Sequence, residues 1–450
     1  MTLTAPGFGD TAPALDPEAA AARAATSPDW LAQRRRAAWD AYESTPFPSS
    51  QRDEDWRRTD ISGLHLERFR PLEELQSATL AGVYEQWDRA EPNAAFALDA
   101  PGLAPVINDA DALLAQGVII TTLEEAASLH PELVQRALAS IAVDESKFIA
   151  LWNAMWFGGI FVYVPPGVEA LTPVWIAHPA DGESCAVFPA SVVMVEDSAS
   201  LTIVDTFASP NGPEELFSDA VSLITAGRDA AVDYITLQQW GGRTWHVATH
   251  RATLDAGARL RFFGATLGAR LQKAYWDVIL AGTGAEADIN GICFAEQDQH
   301  IDHQTLQAHR AAETRSNLLL KVAVRDTARS VYGGLIDVAP EAVHADGYVQ
   351  NRNLLLTHGA KTDSVPRLEI KANDVRCGHG ATAGHIDDDH RFYFTSRGVP
   401  REDADALIVR GFMEDVVRRV PHEGIANLIS SLLDAEIAGR PQLGLAEVEE

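Results

Sequence analysis

The sequence is poor in cysteine and in positive charge. Its three cysteines are Cys185, Cys293 and Cys377; a set so sparse and odd excludes a disulfide framework and points to a reducing compartment. Lys and Arg number 36 against 64 Asp and Glu, a formal net charge of −28. Phosphate contacts need a surplus of cations, so this balance speaks against nucleic acid as a partner. Anionic lipids attract basic patches, so it speaks equally against a membrane-surface protein. No run approaches the ~18 consecutive apolar residues of a membrane span. Residues 1–28 are rich in Ala, Asp and Pro and lack a basic-then-apolar signal. Gly158-Gly159 and Gly333-Gly334 are not followed by Gly-Lys-Ser/Thr, so no phosphate loop is present. The expectation is an acidic, cytoplasmic protein that hydrolyses no nucleotide itself.

What is there is a chain of 450 residues, 46% hydrophobic, long enough for a large core. Residues 1–26 read as a flexible tail of small residues without periodicity. Residues 27–150 read as a mostly helical N-terminal region. Ser27 as cap and Pro28 as first helical residue open a helix carrying Trp30, Leu31, Arg34, Arg35, Ala38, Trp39 and Tyr42. Thr122 and Glu125 form a capping box before another. From 151 to 385 the texture is β: short apolar runs such as Ile160–Val164, Val192–Val195, Leu201–Val204 and Leu354–Leu356, broken by Gly, Ala, Asp and Asn. Residues 386–450 read as a C-terminal helical region. One stripe there runs through Ala404, Leu407, Ile408, Gly411, Phe412, Val416 and Val420, and another through Ile425, Leu428, Ile429, Leu432, Leu433 and Ile437. Two such stripes predict more apolar surface than the end of a β core covers, and hence a docking hairpin.

Within the β stretch a weak repeat is legible. Small-residue turns recur at Ser198-Ala199, Asp229-Ala230, Gly257-Ala258, Gly284-Ala285, Thr327-Ala328 and Gly359-Ala360, with steps of 31, 28, 27, 43 and 32 between the alanines. Turns at near-constant spacing point to stacked coils, because one coil cannot bury its own inner face. A β-sandwich also yields many short strands, so both architectures stand at this level.

Three clusters could carry chemistry. Arg376-Cys377-Gly378-His379-Gly380 places a thiol and an imidazole on one side of a strand. Both are ligands for zinc or an iron–sulfur cluster, and Arg376 would favour the thiolate. The alternative is a small buried cysteine beside a histidine satisfied by backbone. His300-Ile301-Asp302-His303, with Thr305 and His309, puts His300 and Asp302 on one strand face and His303 and His309 on the other. Two ligands per face is thin for a metal, and a polar ladder is the competing reading. Asp387-Asp388-Asp389 could serve a β-helical carbohydrate-active enzyme, but acidic residues before a helix are favoured by capping and the dipole. Cys185 and Cys293 lie in β texture away from histidine-rich segments and are expected to fill core.

The succession His300…Asp302-His303-Gln304-Thr305, Val331-Tyr332-Gly333-Gly334, Gln350-Asn351-Arg352-Asn353, Pro366-Arg367-Leu368-Glu369-Ile370, Asp374–Thr382 and Ser396-Arg397-Gly398 closely resembles the SufB/SufD family of iron–sulfur cluster assembly proteins. Asn153…Gly158–Pro165 and Trp56-Arg57-Arg58-Thr59 fit it too. Gly380 stands where SufB-type chains carry Glu, and residues 304–376 contain no cysteine; within the family the chain therefore looks like SufD, with the cluster-bearing SufB type as the alternative. The resemblance implies a mainly β fold, a parallel β-helix flanked by helical regions. It implies a non-enzymatic scaffold that pairs with a SufB-like paralogue and docks the SufC ATPase through the C-terminal helices. A sulfur-donating protein, and a homodimer when the chain is isolated, belong to the same picture. It further implies a transient iron–sulfur cluster shared with the partner. His379 and Cys377 are then the assembly and metal-ligating residues, with Arg376, His385, Asp302 and His303 as nearby polar candidates.

Overall fold

The computed structural model describes residues 15–72, 75–100, 106–108 and 110–439. Its centre is a stack of sixteen parallel strands in eight coils, each coil giving one strand to each of two sheets. The first sheet holds β1 (Ile160–Val164), β3 (Ala190–Val195), β5 (Leu216–Ala226), β7 (Thr244–Leu254), β9 (Leu271–Leu280), β11 (His300–His309), β13 (Arg329–Val338) and β15 (Lys361–Ile370). The second holds β2 (Val174–Pro179), β4 (Ser200–Ala208), β6 (Ala231–Gln239), β8 (Arg259–Thr266), β10 (Glu286–Ala295), β12 (Arg315–Val324), β14 (Asp346–Leu355) and β16 (Arg376–His385). The β-helix reading holds and the sandwich does not.

The recurring dipeptides are corners of this stack. Ser198, Asp229, Gly257 and Gly284 have φ of 57°, 57°, 68° and 73°, in the left-handed region that Gly, and to a lesser degree Asp, tolerate. The alanine after each turns inward and is buried. The same corner recurs at Glu313-Thr314 and His344-Ala345, with φ of 59° and 61°. Thr327-Ala328 and Gly359-Ala360 belong to the opposite corner, between β12 and β13 and between β14 and β15. The irregular step of 43 thus came from mixing two corners. One corner alone repeats at 31, 28, 27, 29 and 31 residues.

Stacking in register sorts side chains into columns. One inward column runs Val174, Ile203, Tyr234, Phe262, Ile289, Leu318, Val349 and His379. All but His379 are buried. Both outer faces are covered as well, which is why the strands read as nearly continuous apolar runs. Helices α1 (Pro17–Ala25), α2 (Asp29–Ser44), α5 (Leu123–Leu129), α6 (Pro131–Leu138) and α7 (Lys147–Met155) lie with Phe161, Met194, Phe217 and Trp245 on the first sheet. Helix α3 (Ser77–Ala90), with α9 (Arg401–Val417) and α10 (Glu423–Ile437), packs against Trp175, Ile235, Phe263, Phe294 and Leu319 of the second. The short α4 (Asp111–Leu114) precedes α5, and α8 (Asp388–Thr395) precedes α9.

Several expectations are corrected. Residues 17–25 form a helix, not a tail: Asp16 accepts hydrogen bonds from the Glu18 and Ala19 amides, Pro17 opens it, and alanine is the strongest helix former. Residues 1–14 lie outside the described residues. Ser27 does not cap α2; its hydroxyl donates to the Arg23 carbonyl and accepts from Arg35 Nε. Thr122 does cap α5, accepting from the Glu125 amide at 3.0 Å. Helix α7 spans the expected boundary at 150, and the coils begin at Ile160. The N-terminal region also contributes strands: Ile119–Thr122 pairs with β1, and Ala95–Leu98 with β2. Most important, the second C-terminal stripe is largely spent on the flank of the second sheet, and the first only in part: Ala404, Val416 and Val420 are buried, Ile408 and Phe412 half-buried, and Leu407 and Gly411 exposed. Val409, Met413, Val416, Ile425, Leu428, Ile429, Leu432 and Leu433 are buried there. The surface they leave over is thus confined to the first stripe, around Leu407.

The two ends of the stack differ. Short N-terminal strands close the first coil, whereas β15 and β16 end their sheets with no further strand beyond among the described residues. Most of both strands is exposed or half-buried. An inward leucine should report the difference. Leu318→Ala, in the sealed interior, should cost about 2–5 kcal/mol. Leu368→Ala on β15, 37% exposed, should stay within about 0.5 kcal/mol. Urea unfolding of the two variants checks this, and equal losses would mean the last coil is covered in solution.

Candidate functional site

Strand β16 carries the Cys377–His379 pair. It hydrogen-bonds only to β14, with Gly347 opposite Cys377 and Val349 opposite His379. Strand alternation turns both side chains to the inner face, where Cys377 packs half-buried against the core. His379 is exposed because no ninth coil stacks on it. Gly378 and Gly380 point outward. The space above them is filled by Tyr348, whose ring a Cβ at 378 would meet at 3.3 Å and whose hydroxyl a Cβ at 380 would meet at 3.2 Å. The glycines therefore seat this ring rather than leave the backbone bare.

The expected thiolate is not favoured. Burial pushes the Cys377 thiol up, the Gly347 backbone hydrogen bond opposes this, and Asp346 adds to it. Arg376 is the adjacent strand residue, so it faces outward and away from the sulfur. His385, the last residue of β16, is exposed, and its ring lies 5.5 Å from that of His358. Among the described residues no three His, Cys, Asp or Glu gather as a metal site. The open end thus offers one soft donor and one exposed imidazole on a common face, half of what a cluster's ligand set requires.

Asp302 and His303 lie on β11, and no hydrogen bond or ion pair joins them to His379 or Cys377. The face assignment holds. Asp302 points outward and is fully buried against Lys273 Nζ at 2.7 Å. Thr59 donates a hydrogen bond to Asp302 and sits 3.0 Å from His300 Nε2, while Lys273 also donates to the Asp55 carbonyl. Residues 54–59 thereby form a strap across the outer face of the first sheet. Its Arg58 and Asp55 reach Asp363 and Arg367 of β15 at 3.8 and 3.1 Å. His303 points into the lumen, where its Nε2 lies 3.0 Å from Thr266 Oγ1. Burial lowers its pKa to about 4, so it is neutral. Cys293 is core, as expected, but Cys185 is only half-buried, on a short strand between Arg70–Pro71 and β5. Asp387 caps α8, accepting from the Asp389 amide at 2.8 Å.

Sequence reasoning missed a charged node inside the first coils. His178 Nδ1 lies 3.0 Å from Asp99; its Nε2 lies 2.9 Å from Ser191 Oγ and 3.1 Å from Asp205. Asp205 further accepts from Ser222 at 2.9 Å and from Tyr234. Asp, His and Ser thus meet as in a hydrolase, yet Ser191 is buried and donates to Asp205 at 3.1 Å, so its oxygen has neither substrate access nor a free base. Burial would lower the His178 pKa, but its hydrogen bonds to Asp205 and Asp99 outweigh it and raise the pKa to about 9. The signal was available: Asp205 stands in phase with Leu201, Ile203 and Phe207, a carboxylate on the inward face of an apolar strand.

Residues 178–412 match the family described as "SUF system FeS cluster assembly, SufBD core domain". Residues 105–176 match "SufBD protein N-terminal region". The chain is 27% identical over 309 residues to an iron-sulfur cluster assembly SufBD family protein of Staphylococcus epidermidis and, equally, to one of Staphylococcus haemolyticus. It is 26% identical to one of Staphylococcus aureus over the same length. Each alignment covers 68% of this chain and 66% of the relative, just under two thirds of its length.

His178 opens the matched core and supplies a test of the node. Its folded pKa exceeds the ordinary 6.5 of histidine, so the stability it contributes is complete below about pH 6.5 and fades as pH rises through about 9. Thermal melts from pH 6 to 10 should show wild type losing its advantage over His178→Gln across that window. Parallel curves for the two proteins would contradict the assignment.

Proposed function

The chain belongs to the SufBD family of iron–sulfur cluster assembly proteins, and from that premise we propose that it is a scaffold subunit of the SufD type that forms a cluster together with a partner. The single observation that carries this is the unfinished eighth coil. Two parallel sheets end in unpaired edges, with Leu368, Ile370 and Tyr348 exposed around them. Such edges invite pairing with another chain. A SufB-like paralogue is the partner that fits, adding its own edges and bringing the ligands that this mouth lacks. A second copy of this chain could occupy the same edges when the paralogue is absent.

In this reading the cluster is cargo. His379 would act as ligand or proton carrier, since neutral imidazole does both near pH 7. Cys377, held as a thiol, would add a soft donor once a metal lowers its pKa. The absence of cysteine from 304–376 supports the SufD role over the cluster-bearing SufB role. Sulfur would come from a donating protein, and the reducing compartment that the free cysteines imply is the cytoplasm. Asp302 and His303 serve the structure: the first anchors the strap, the second lines the lumen.

The SufC ATPase would dock on the C-terminal region through α8 and the exposed part of the α9 stripe, not through the buried stripe of α10. Phe392 and Tyr393 of α8 are 70% and 53% exposed, and Leu407 of α9 is 47% exposed. Arg397 covers one side of the Tyr393 ring, 3.6 Å from its centroid. Aromatic side chains exposed together mark an interaction surface. The four-part organisation proposed for the chain then assigns cluster chemistry to the β-helix end and ATPase capture to the helices after 386.

Two experiments test the reading. His379→Ala should melt like wild type, co-purify with paralogue and ATPase, and fail to complement a strain lacking this protein; full complementation would end the proposal for His379. The double variant Phe392→Ala/Tyr393→Ala should lose the ATPase in a pull-down and keep the paralogue. Undiminished ATPase recovery would move the docking surface elsewhere.

A further inference from the structure

His358 and His385 come from different elements and meet at the rim of the open end. His385 closes β16, locked by its ladder pairing with Leu355. His358 sits in the turn between β14 and β15. That turn is itself pinned: Thr357 Oγ1 donates to the Asp326 carbonyl at 2.8 Å, and a Cβ on Gly359 would lie 2.4 Å from the same oxygen, so only glycine lets the turn approach so closely. The two rings are 5.5 Å apart between centroids and inclined by 55°. Both residues are exposed. Among the described residues no hydrogen bond or ion pair engages either ring.

Two imidazoles on fixed backbones, side by side and without a hydrogen-bond partner among the described residues, can chelate a metal ion. Metal–nitrogen bonds of about 2.0–2.1 Å to a tetrahedral ion place two imidazole centroids about 5 Å apart, close to the spacing seen. A pair of rings packed only for their faces would be expected to bury them, and these are open to solvent. We propose that His358 and His385 bind a divalent transition-metal ion of the zinc or iron(II) class, with water filling the remaining positions. Carboxylate-preferring ions such as magnesium and calcium are poor matches for imidazole alone. The site lies on the inner-face rim that β16 shares with Cys377 and His379, but it is built without either of them and stands or falls independently of the scaffold reading.

Calorimetric titration of the full chain with Zn2+ alone is the test. Wild type should bind one ion at this site. His358→Ala and His385→Ala should each weaken that event at least tenfold, because one imidazole is not a chelate. Both positions are exposed, so melting temperatures should not move, and His358→Gln and His385→Gln should fold equally and bind equally poorly. His344→Ala, which removes an exposed histidine that pairs with Asp374 at 3.1 Å, should bind as wild type does. Unchanged Zn2+ binding by His358→Ala or His385→Ala would overturn the proposal, as would an equal loss in His344→Ala.

Discussion

A coil of parallel strands cannot bury its inner face alone, and everything else in this molecule follows from how that face is satisfied. Eight coils stack in register, so each inward side chain rests on the one before it and supports the one after. The outer faces are satisfied separately, the first sheet by the N-terminal helices and the second by α3, α9 and α10. Among the described residues, the last coil alone has no strand above it. His379 occupies a position that in earlier coils belongs to Ile203, Tyr234, Phe262 or Leu318. A polar, ligand-capable residue is tolerated there because the column ends.

The sequence made the broad architecture legible because corners are chemically conspicuous when Gly, Ser or Asp takes the left-handed position. It hid two coils because Glu313 and His344 do the same job with residues that signal no turn. It hid helix α1 because an alanine-rich helix shows little apolar periodicity. The Cys377–His379 pair could be found from its spacing, and its shared face was read correctly. The sulfur's protonation could not, since Arg376 is a neighbour in sequence but faces away. The His358–His385 pair joins residues from separate elements, and only the register of β14, β15 and β16 brings them together.

The lumen is less uniformly apolar than its strands suggest. His178, Asp99 and Asp205 place charge within it, and His246, His250 and His303 place neutral imidazoles further along. The difference in protonation has one cause: His178 has two carboxylates, while burial dominates for the other three. Charge in such a place is expensive unless fully bonded, and Ser191, Ser222 and Tyr234 complete the bonding of Asp205. The same completeness that stabilises the node removes Ser191 from chemistry. Geometric resemblance to a triad therefore says nothing about activity until access is asked for.

The strap at residues 54–59 has a consequence for how the molecule comes apart. A linear stack of coils ordinarily frays from a free end, each terminal unit melting with little reference to distant ones. Here the terminal strand β15 is tied through Arg367 to Asp55, 312 positions away in sequence, and Lys273 and Asp302 root the strap in the middle of the sheet. Exposed ion pairs of this kind contribute only about 0–1 kcal/mol each. Their topology nevertheless matters, because the last coil can peel away only by also breaking its contacts with a segment that the N-terminal helices hold. Fraying of the open end is thereby coupled to a segment near the other end of the sequence.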